Sequence, residues 1–370
     1  MQMKTKSLIF SRTGLLILLL TGSVIRAEGQ TYTESKQIVR SFPARSETRL
    51  DVSNKYGKIQ VIPWKKDSVR IEVELFLKST STAKLDKIQE NIDFDFTGTN
   101  YYIIAQTNFG NKFNTFFSDL RDLSETLIPS KNKVEINYTI NLPSNISLNI
   151  SNKYGDIYLD DLKGPVNINL SNGDIKANRL EGVANINLNF GNGIINYYQG
   201  GRLTLTFADI EIKQAGNLDI DSKSSRIEIN EAGIINMQSR RDKLSATSIT
   251  DIFGNSYFSE IWINNLNEEV NFNPTYGTFR VSQINGSFTF ISLKSEYTDL
   301  DLVFSRSPGY TIDIAYNPEA TITYPEEKAQ VEKAEESDVL TRIRGTIGEA
   351  GQGKVKIIAS KKCNISLHEH

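Results

Sequence analysis

Apolar and polar residues alternate with a period of two along most of this chain, in short runs broken by turn residues. The runs "VNINL" (Val166–Leu170), "ANINL" (Ala184–Leu188) and "LTLTF" (Leu203–Phe207) each lead into a turn. A shorter alternation follows, as in "IYL" at Ile157–Leu159 and "IEI" at Ile210–Ile212 and Ile227–Ile229. The first apolar residue after each turn recurs at Ile157, Ile175, Ile194, Ile210, Ile227, Leu244, Ile261, Phe279 and Leu300. These positions follow one another at a nearly constant period of about 18 residues. A glycine then closes most units, at Gly164, Gly182, Gly200, Gly216, Gly233 and Gly286. The pairs Asn172-Gly173, Asn192-Gly193 and Asn285-Gly286 suit turn positions with φ > 0. One pentapeptide, "SNKYG", occurs at Ser53–Gly57 and again at Ser151–Gly155.

Each period predicts two strands and two turns, a unit too small to bury its own apolar face. The near-constant period predicts an all-β fold, a single-stranded parallel β-solenoid (β-helix) with coils of about 18 residues. Equivalent residues in neighbouring coils then stack ~4.8 Å apart. The alternative is an antiparallel β-sandwich, in which the same strands pair as hairpins. In the solenoid Asn167, Asn169, Asn185 and Asn187 face solvent, while Val166, Ile168 and Leu170 face inward.

Outside the regular repeats, "STAKLDKIQENI" places Leu85, Ile88 and Ile92 at helical spacing and predicts a short helix. A Phe-rich segment, Thr107–Lys133, interrupts the strands as a loop insertion. "YPEEKAQVEKAEESD" (Tyr324–Asp338) reads as a solvated loop or short helix, and the strands after it as a cover for the last open edge. The expected organisation is a signal peptide over 1–27 and an N-terminal β unit with helix and insertion over 28–145. Regular repeats follow over 146–320, and a charged loop with closing strands over 321–370.

The leader follows from Lys4 and Lys6 ahead of the short apolar run Gly14–Ile25, with the small Ala27 behind it. Spanning a bilayer takes roughly 20 apolar residues, so this run fits a cleaved signal better than a transmembrane helix. Cleavage removes four cations and no acid, taking net charge from −2 to −6. An acidic exported chain is a poor nucleic-acid binder, since phosphate neutralisation needs a basic surface. With Cys363 as the single cysteine, no internal disulfide is available. Cys363 itself reads as a small buried residue, or as an exposed thiol for an intermolecular bond.

The stretch "KVEINYTINLPSNISLNISNKYGDIYLDDLKGPVNINLSNGDIKANRLEG" and the glycine-rich "GTIGEAGQGKVKIIAS" resemble the bacterial putative-adhesin family of β-strand-repeat domains of unknown function. Proteins of this kind are abundant in Bacteroidetes-type bacteria, and the resemblance extends from about Leu50 to Leu367. It implies a single-stranded β-helix, export to the cell envelope or surface, and no established activity or catalytic residues.

Chemistry is sparse. Histidine occurs only at His368 and His370, in what reads as a frayed tail, so no imidazole is positioned for acid–base or zinc chemistry. No P-loop or glycine-rich nucleotide turn is present. In stacked coils the residues before the register isoleucines form a column that includes Asp156, Asp174, Asp209, Arg226, Lys243 and Glu260. Asp156 and Asp174 are candidate Ca²⁺ ligands, or simply a solvated edge. Asp209, Arg226, Lys243 and Glu260 make an acid–base–base–acid ladder, the place where a polysaccharide-processing enzyme would work. Tyr56, Tyr154, Tyr276 and Tyr297 recur at one turn, and Phe113, Phe116 and Phe117 cluster in the insertion. These seven are candidate surface contacts. The expected function is therefore a non-enzymatic exported protein presenting a polar surface to a cell-surface glycan or protein, without a cofactor. A periplasmic envelope-stress or structural role and the enzyme are the alternatives.

Overall fold

Period-two alternation gives each segment one apolar row, and in the protein that row is inward and buried in strand after strand. The computed structural model describes residues 31–110, 132–305, 309–336, 340–349 and 351–369. The expected leader (1–27), Phe113, Phe116, Phe117 and His370 lie outside the described residues. In chain order come β1 (Tyr32–Pro43), β2 (Arg49–Lys55), β3 (Ile59–Trp64), β4 (Ser68–Ser79) and the helix α1 (Thr82–Glu90). They are followed by β5 (Ile92–Gly98), β6 (Tyr102–Phe109), β7 (Lys133–Pro143), β8 (Ser147–Lys153) and β9 (Ile157–Leu159). β10 (Val166–Ser171), β11 (Ile175–Leu180), β12 (Ala184–Lys223), β13 (Arg226–Arg240), β14 (Lys243–Ile284) and β15 (Phe290–Phe304) carry the repeats. The chain closes with β16 (Gly309–Tyr316), β17 (Thr321–Thr323), a 3-10 turn at Glu326–Lys328, β18 (Ala329–Glu336), β19 (Thr341–Gly348), β20 (Gly353–Ala359) and β21 (Asn364–Glu369).

The protein is all-β, with 76% strand against 4% helix, and the strands form one large mixed sheet that is not closed. Through the repeats the pairing is parallel at an offset of one period. Val166 lies between Leu148 and Ala184, an offset of 18 on each side. Ile210, Ile227 and Leu244 follow one another at an offset of 17, and Phe279 faces Leu300 at 21. Their side chains, with Leu170, Leu188 and Ile229, build a continuous apolar interior, each contributing about 1.5–3 kcal/mol by burial. α1 covers part of it with Leu85 and Ile88, while Ile92 already opens β5.

The repeated pentapeptide is explained by adjacency. β2 pairs in parallel with β8 so that Ser53, Asn54 and Lys55 face Ser151, Asn152 and Lys153. Both asparagines point inward: Asn152 Nδ2 donates to the carbonyls of Gly57 and Gly155, 2.9 Å each, and Asn54 Nδ2 to that of Ile136 at 2.8 Å. A buried amide thus satisfies turn carbonyls that water does not reach.

One register expectation is corrected. Ile175 faces Gly193, and Ile194 is displaced outward, 40% exposed. "GNGIIN" contains two adjacent isoleucines, and alternation alone does not decide which faces in. A Cβ at Gly193 would sit 2.8 Å from Ile210 Cγ1, so the neighbouring side chain fills the place.

At both ends spatial order departs from chain order. β2 lies between β6 and β8, and β3 between β7 and β9, so the first repeat is second in the stack. The strands expected to cover the last edge do lie on it, but not in chain order. β20 is inserted between β15 and β16, and β21 between β15 and β17. The inward row Val355, Ile357, Ala359, Ile365 and Leu367 matches that of an ordinary repeat and is buried in the same way. The outer cover is the antiparallel set β16–β19–β18, in which the charged excursion becomes a 3-10 turn and a strand. At the other end β1, β4, β5, β6 and β7 supply antiparallel pairs. His368 accordingly sits in β21 opposite Val303, and Cys363 is buried 3.5 Å from Ser295 Oγ.

The outer cover carries a bidentate ion pair. Arg342 donates to Asp313 through Nε (2.7 Å) and a terminal nitrogen (2.5 Å), and Arg344 adds a contact at 3.5 Å. These bonds hold the Asp313 carboxyl below its ordinary value, against partial burial. A depressed carboxylate stabilises the fold above its unfolded pKa and loses that contribution as pH falls through the folded one. Asp313→Asn is therefore expected to weaken protection of the β16–β19 amides at pH 7. The difference between the variant and the parent is expected to shrink as pH falls through the depressed folded pKa, as read by hydrogen exchange.

Candidate functional site

Ten non-glycine residues among those described adopt left-handed backbone: Tyr56, Tyr154, Asn172, Phe190, Phe207, Ser224, Arg241, Phe258, Tyr276 and Tyr297. Each lies three positions before an inward register position, so they form one column at equivalent turns. Their backbones are tied between repeats. The N–H groups of Tyr154, Asn172, Ser224 and Arg241 donate to the carbonyls of Ser171, Asn189, Arg240 and Tyr257, all at 2.9 Å. This conformation costs a side-chain-bearing residue about 1–2 kcal/mol, and glycine or asparagine fills it more cheaply. Seven of the ten are nevertheless aromatic.

Stacking offsets part of that cost, at about 0.5–1.5 kcal/mol per pair. Tyr56 stacks on Tyr154 (5.5 Å between centroids), Phe190 on Phe207 (5.2 Å), Phe258 on Tyr276 (4.7 Å) and Tyr276 on Tyr297 (4.9 Å). Phe190, Phe207 and Phe258 remain 54, 50 and 49% exposed. Tyr257, across from Phe258 at 4.5 Å, and Trp262 extend the exposed aromatic surface. Tyr56 and Tyr154 are half-buried, with Lys55 over the Tyr56 ring and Lys153 over the Tyr154 ring.

The four tyrosines singled out by sequence thus belong to one column, and Phe190, Phe207 and Phe258 complete it. "LTLTF" continues its alternation through Phe207, which therefore reads as inward although it is the turn residue. The signal that finds all three is position, one period from their neighbours in the column.

The residue after each left-handed position faces in. In the earlier, longer repeats it is Gly155, Gly173 or Gly191, and a Cβ on any of them would meet the backbone oxygen of the previous glycine at 1.9–2.2 Å. In the repeats that follow, which are shorter by one position, it is Ala208, Ser225, Asp242 or Ser259. There a buried polar stripe replaces the glycines. Asp242, 1% exposed, accepts from Ser222 Oγ (2.6 Å), Ser239 Oγ (2.7 Å) and the N–H groups of Ser225 and Arg240 (2.8 Å each).

Asp156 and Asp174 stand in succession with Asn192 next to them, and Asp209, Arg226 and Lys243 follow one another in register. Asp156 Oδ1 accepts from the Asp174 N–H (2.9 Å), and Asp174 Oδ1 from the Asn192 N–H (2.8 Å). The two calcium candidates therefore act as turn acceptors for the following repeat. Asp156 also accepts from the Tyr158 hydroxyl at 3.1 Å; partial burial, then this bond, raises that phenol's pKa. Farther along, Arg226 lies 3.5 Å from Asp209 and Lys243 3.1 Å from Glu260. These exposed pairs contribute about 0–1 kcal/mol each. A shallow depression of about 190 Å³ beside Asp209 and Arg226 is lined by Gly193, Glu211 and Glu228.

Among the described residues no cluster of three or more His, Cys, Asp or Glu is placed to hold a metal, and no helix is long and apolar enough to cross a membrane.

No family model and no curated protein matches the chain. Solved structures similar to this chain include two putative adhesion proteins. A putative cell adhesion protein from Clostridium sporogenes is 11% identical, covering 91% of this chain and all of its own, with a TM-score of 0.19. A putative adhesin from Bacteroides fragilis is 12% identical, covering 90% of this chain and 97% of its own, with a TM-score of 0.26. Superposition this poor carries no weight for fold or function.

Proposed function

We propose that this chain is an exported, non-enzymatic protein that winds as a single-stranded β-solenoid and presents a rigid polar surface with an aromatic ridge at the bacterial cell envelope. Its role there is adhesion or surface assembly. The observation that carries the reading is the turn column: seven rings at strained left-handed positions, four of them 45–54% exposed. Strain of this kind persists where the surrounding structure and a use for the side chain maintain it.

The winding is supported by parallel partners at steady offsets of 17 and 18, as expected when each turn of chain lies on the last. A binding role rather than a catalytic one is supported by Asp209, Arg226, Lys243 and Glu260, whose charges are engaged with one another. Export is supported by the leader-like pattern of residues 1–27.

Protease added to intact bacteria producing the full chain tests the display. The expected result is digestion without lysis, detected with an antibody to the repeats. Protection until the envelope is opened would remove the surface role and leave a periplasmic one.

A further inference from the structure

The aromatic column is broken once in its exposed half. Between Phe207 and Phe258 it carries Ser224 and Arg241, so the rings stand three repeats apart, about 14 Å at ~4.8 Å per strand. Phe190 covers one face of Phe207 and Tyr276 one face of Phe258. Tyr257, the register partner of Arg240, meets Phe258 edge to face at 4.5 Å, so Phe207 on one side and the Tyr257–Phe258 pair on the other flank the gap.

Five exposed cations gather there. Lys223 and Arg240 are register partners, as are Arg226 and Lys243, and Arg241 takes the turn position itself. Arg226 and Lys243 have Asp209 and Glu260 beside them. Among the described residues Lys223, Arg240 and Arg241 make no ion pair. Asp242 lies directly beneath, but its oxygens are occupied by two hydroxyls and two N–H groups inside the fold. Asp221 and Glu228 stand one outward position from Lys223 and Arg226, and Glu211, Asp219, Glu231 and Asp251 lie farther out on the same repeats. With a net charge of −2 for the whole chain, this positive notch is a local feature.

We propose that the notch between Phe207 and Phe258 binds a polyanionic glycan, a chain of sugar rings bearing carboxylates or sulfate esters. Lys223, Arg240 and Arg241 hold the anionic groups, and Phe207 on one side and the exposed Tyr257–Phe258 pair on the other stack on the sugar rings. The site deepens the display reading by naming its ligand class and rests on that reading only for its biological setting. Charge complementarity selects the anion. Two separated flat apolar walls select rings spaced along a chain. A nucleic acid is disfavoured because its affinity needs a longer track of phosphate contacts than five cations on an acidic protein supply.

Affinity electrophoresis of the purified mature protein through gels containing polygalacturonate, dextran sulfate or neutral dextran tests this, with a DNA duplex as competitor. The expected result is retardation by one or both anionic polymers, weakened by salt, and none by dextran. Polygalacturonate alone identifies a uronate ligand, and dextran sulfate alone a sulfate one. Arg240→Gln/Arg241→Gln is expected to lower affinity roughly tenfold. Phe207→Ala/Phe258→Ala should lower it about fivefold with the salt dependence unchanged. Lys354→Gln/Lys356→Gln, in β20 beyond β15 and several repeats from the notch, should change nothing. If the double phenylalanine variant melts below the assay temperature, Phe258→Leu reads the same loss while keeping apolar bulk. Absence of retardation, full binding by either notch variant, or DNA competing as strongly as the glycan would overturn the site. Such a failure leaves the protease result untouched, and protease protection leaves the in vitro binding untouched.

Discussion

Asp242→Ala is expected to lower the free energy of unfolding by about 3–5 kcal/mol, read from urea titration followed by circular dichroism. The carboxylate is sealed inside the turn column and gathers four donors from two repeats. Removing it strands two backbone N–H groups and the Ser222 hydroxyl, while Ser239 Oγ keeps Ser259 Oγ at 2.9 Å, and leaves a cavity besides. Asp242→Asn keeps the shape but turns an acceptor into a donor against a donor, so it should recover less than half of the loss. Asp209→Ala, in an exposed pair, is expected to stay within about 0.5 kcal/mol. A loss below about 1 kcal/mol at position 242 would mean that the buried carboxylate is not what holds these turns together.

Gly155→Ala is the second large effect, expected at about 2–4 kcal/mol in the same titration. The added methyl would come 2.0 Å from the Gly57 carbonyl oxygen, a backbone atom that no rotamer change moves aside. Relief requires the two neighbouring "SNKYG" turns to separate, which also stretches the bonds from Asn152 Nδ2 to the Gly57 and Gly155 carbonyls. Ala208 occupies the equivalent place in one of the shorter repeats, so Ala208→Gly should cost less than about 1 kcal/mol. Equal effects at the two positions would show that the spacing of the repeats does not govern the fit.

Much of this arrangement was legible in the sequence because a near-constant period and strict alternation both report on inward rows. α1, the inward face of Val166–Leu170 and the kinship of the two pentapeptides follow from those rules. Three features do not. Ile194 and Phe207 are apolar residues where alternation allows either face, and only the column of left-handed turns decides between them. Asp242 looks like any surface acid, since its burial depends on Ser222 and Ser225 in the preceding repeat. The insertion of β20 and β21 is invisible because an alternating pattern identifies a strand without saying which two strands will flank it. The aromatic column was half-seen for the same reason, tyrosines standing out beside glycine while the phenylalanines passed as interior residues.

The wedged position of β20 and β21 bears on how the molecule is completed. β20 and β21 enter a slot whose walls, β15 on one side and β16 with β17 on the other, precede them in the chain. Growth by simple accretion from the amino end therefore halts one layer short. The closing event resembles a key driven into a lock, and it belongs to these two strands rather than to the many layers before them. Until it happens these two strands are open to degradation; afterwards they are held on both sides by earlier strands.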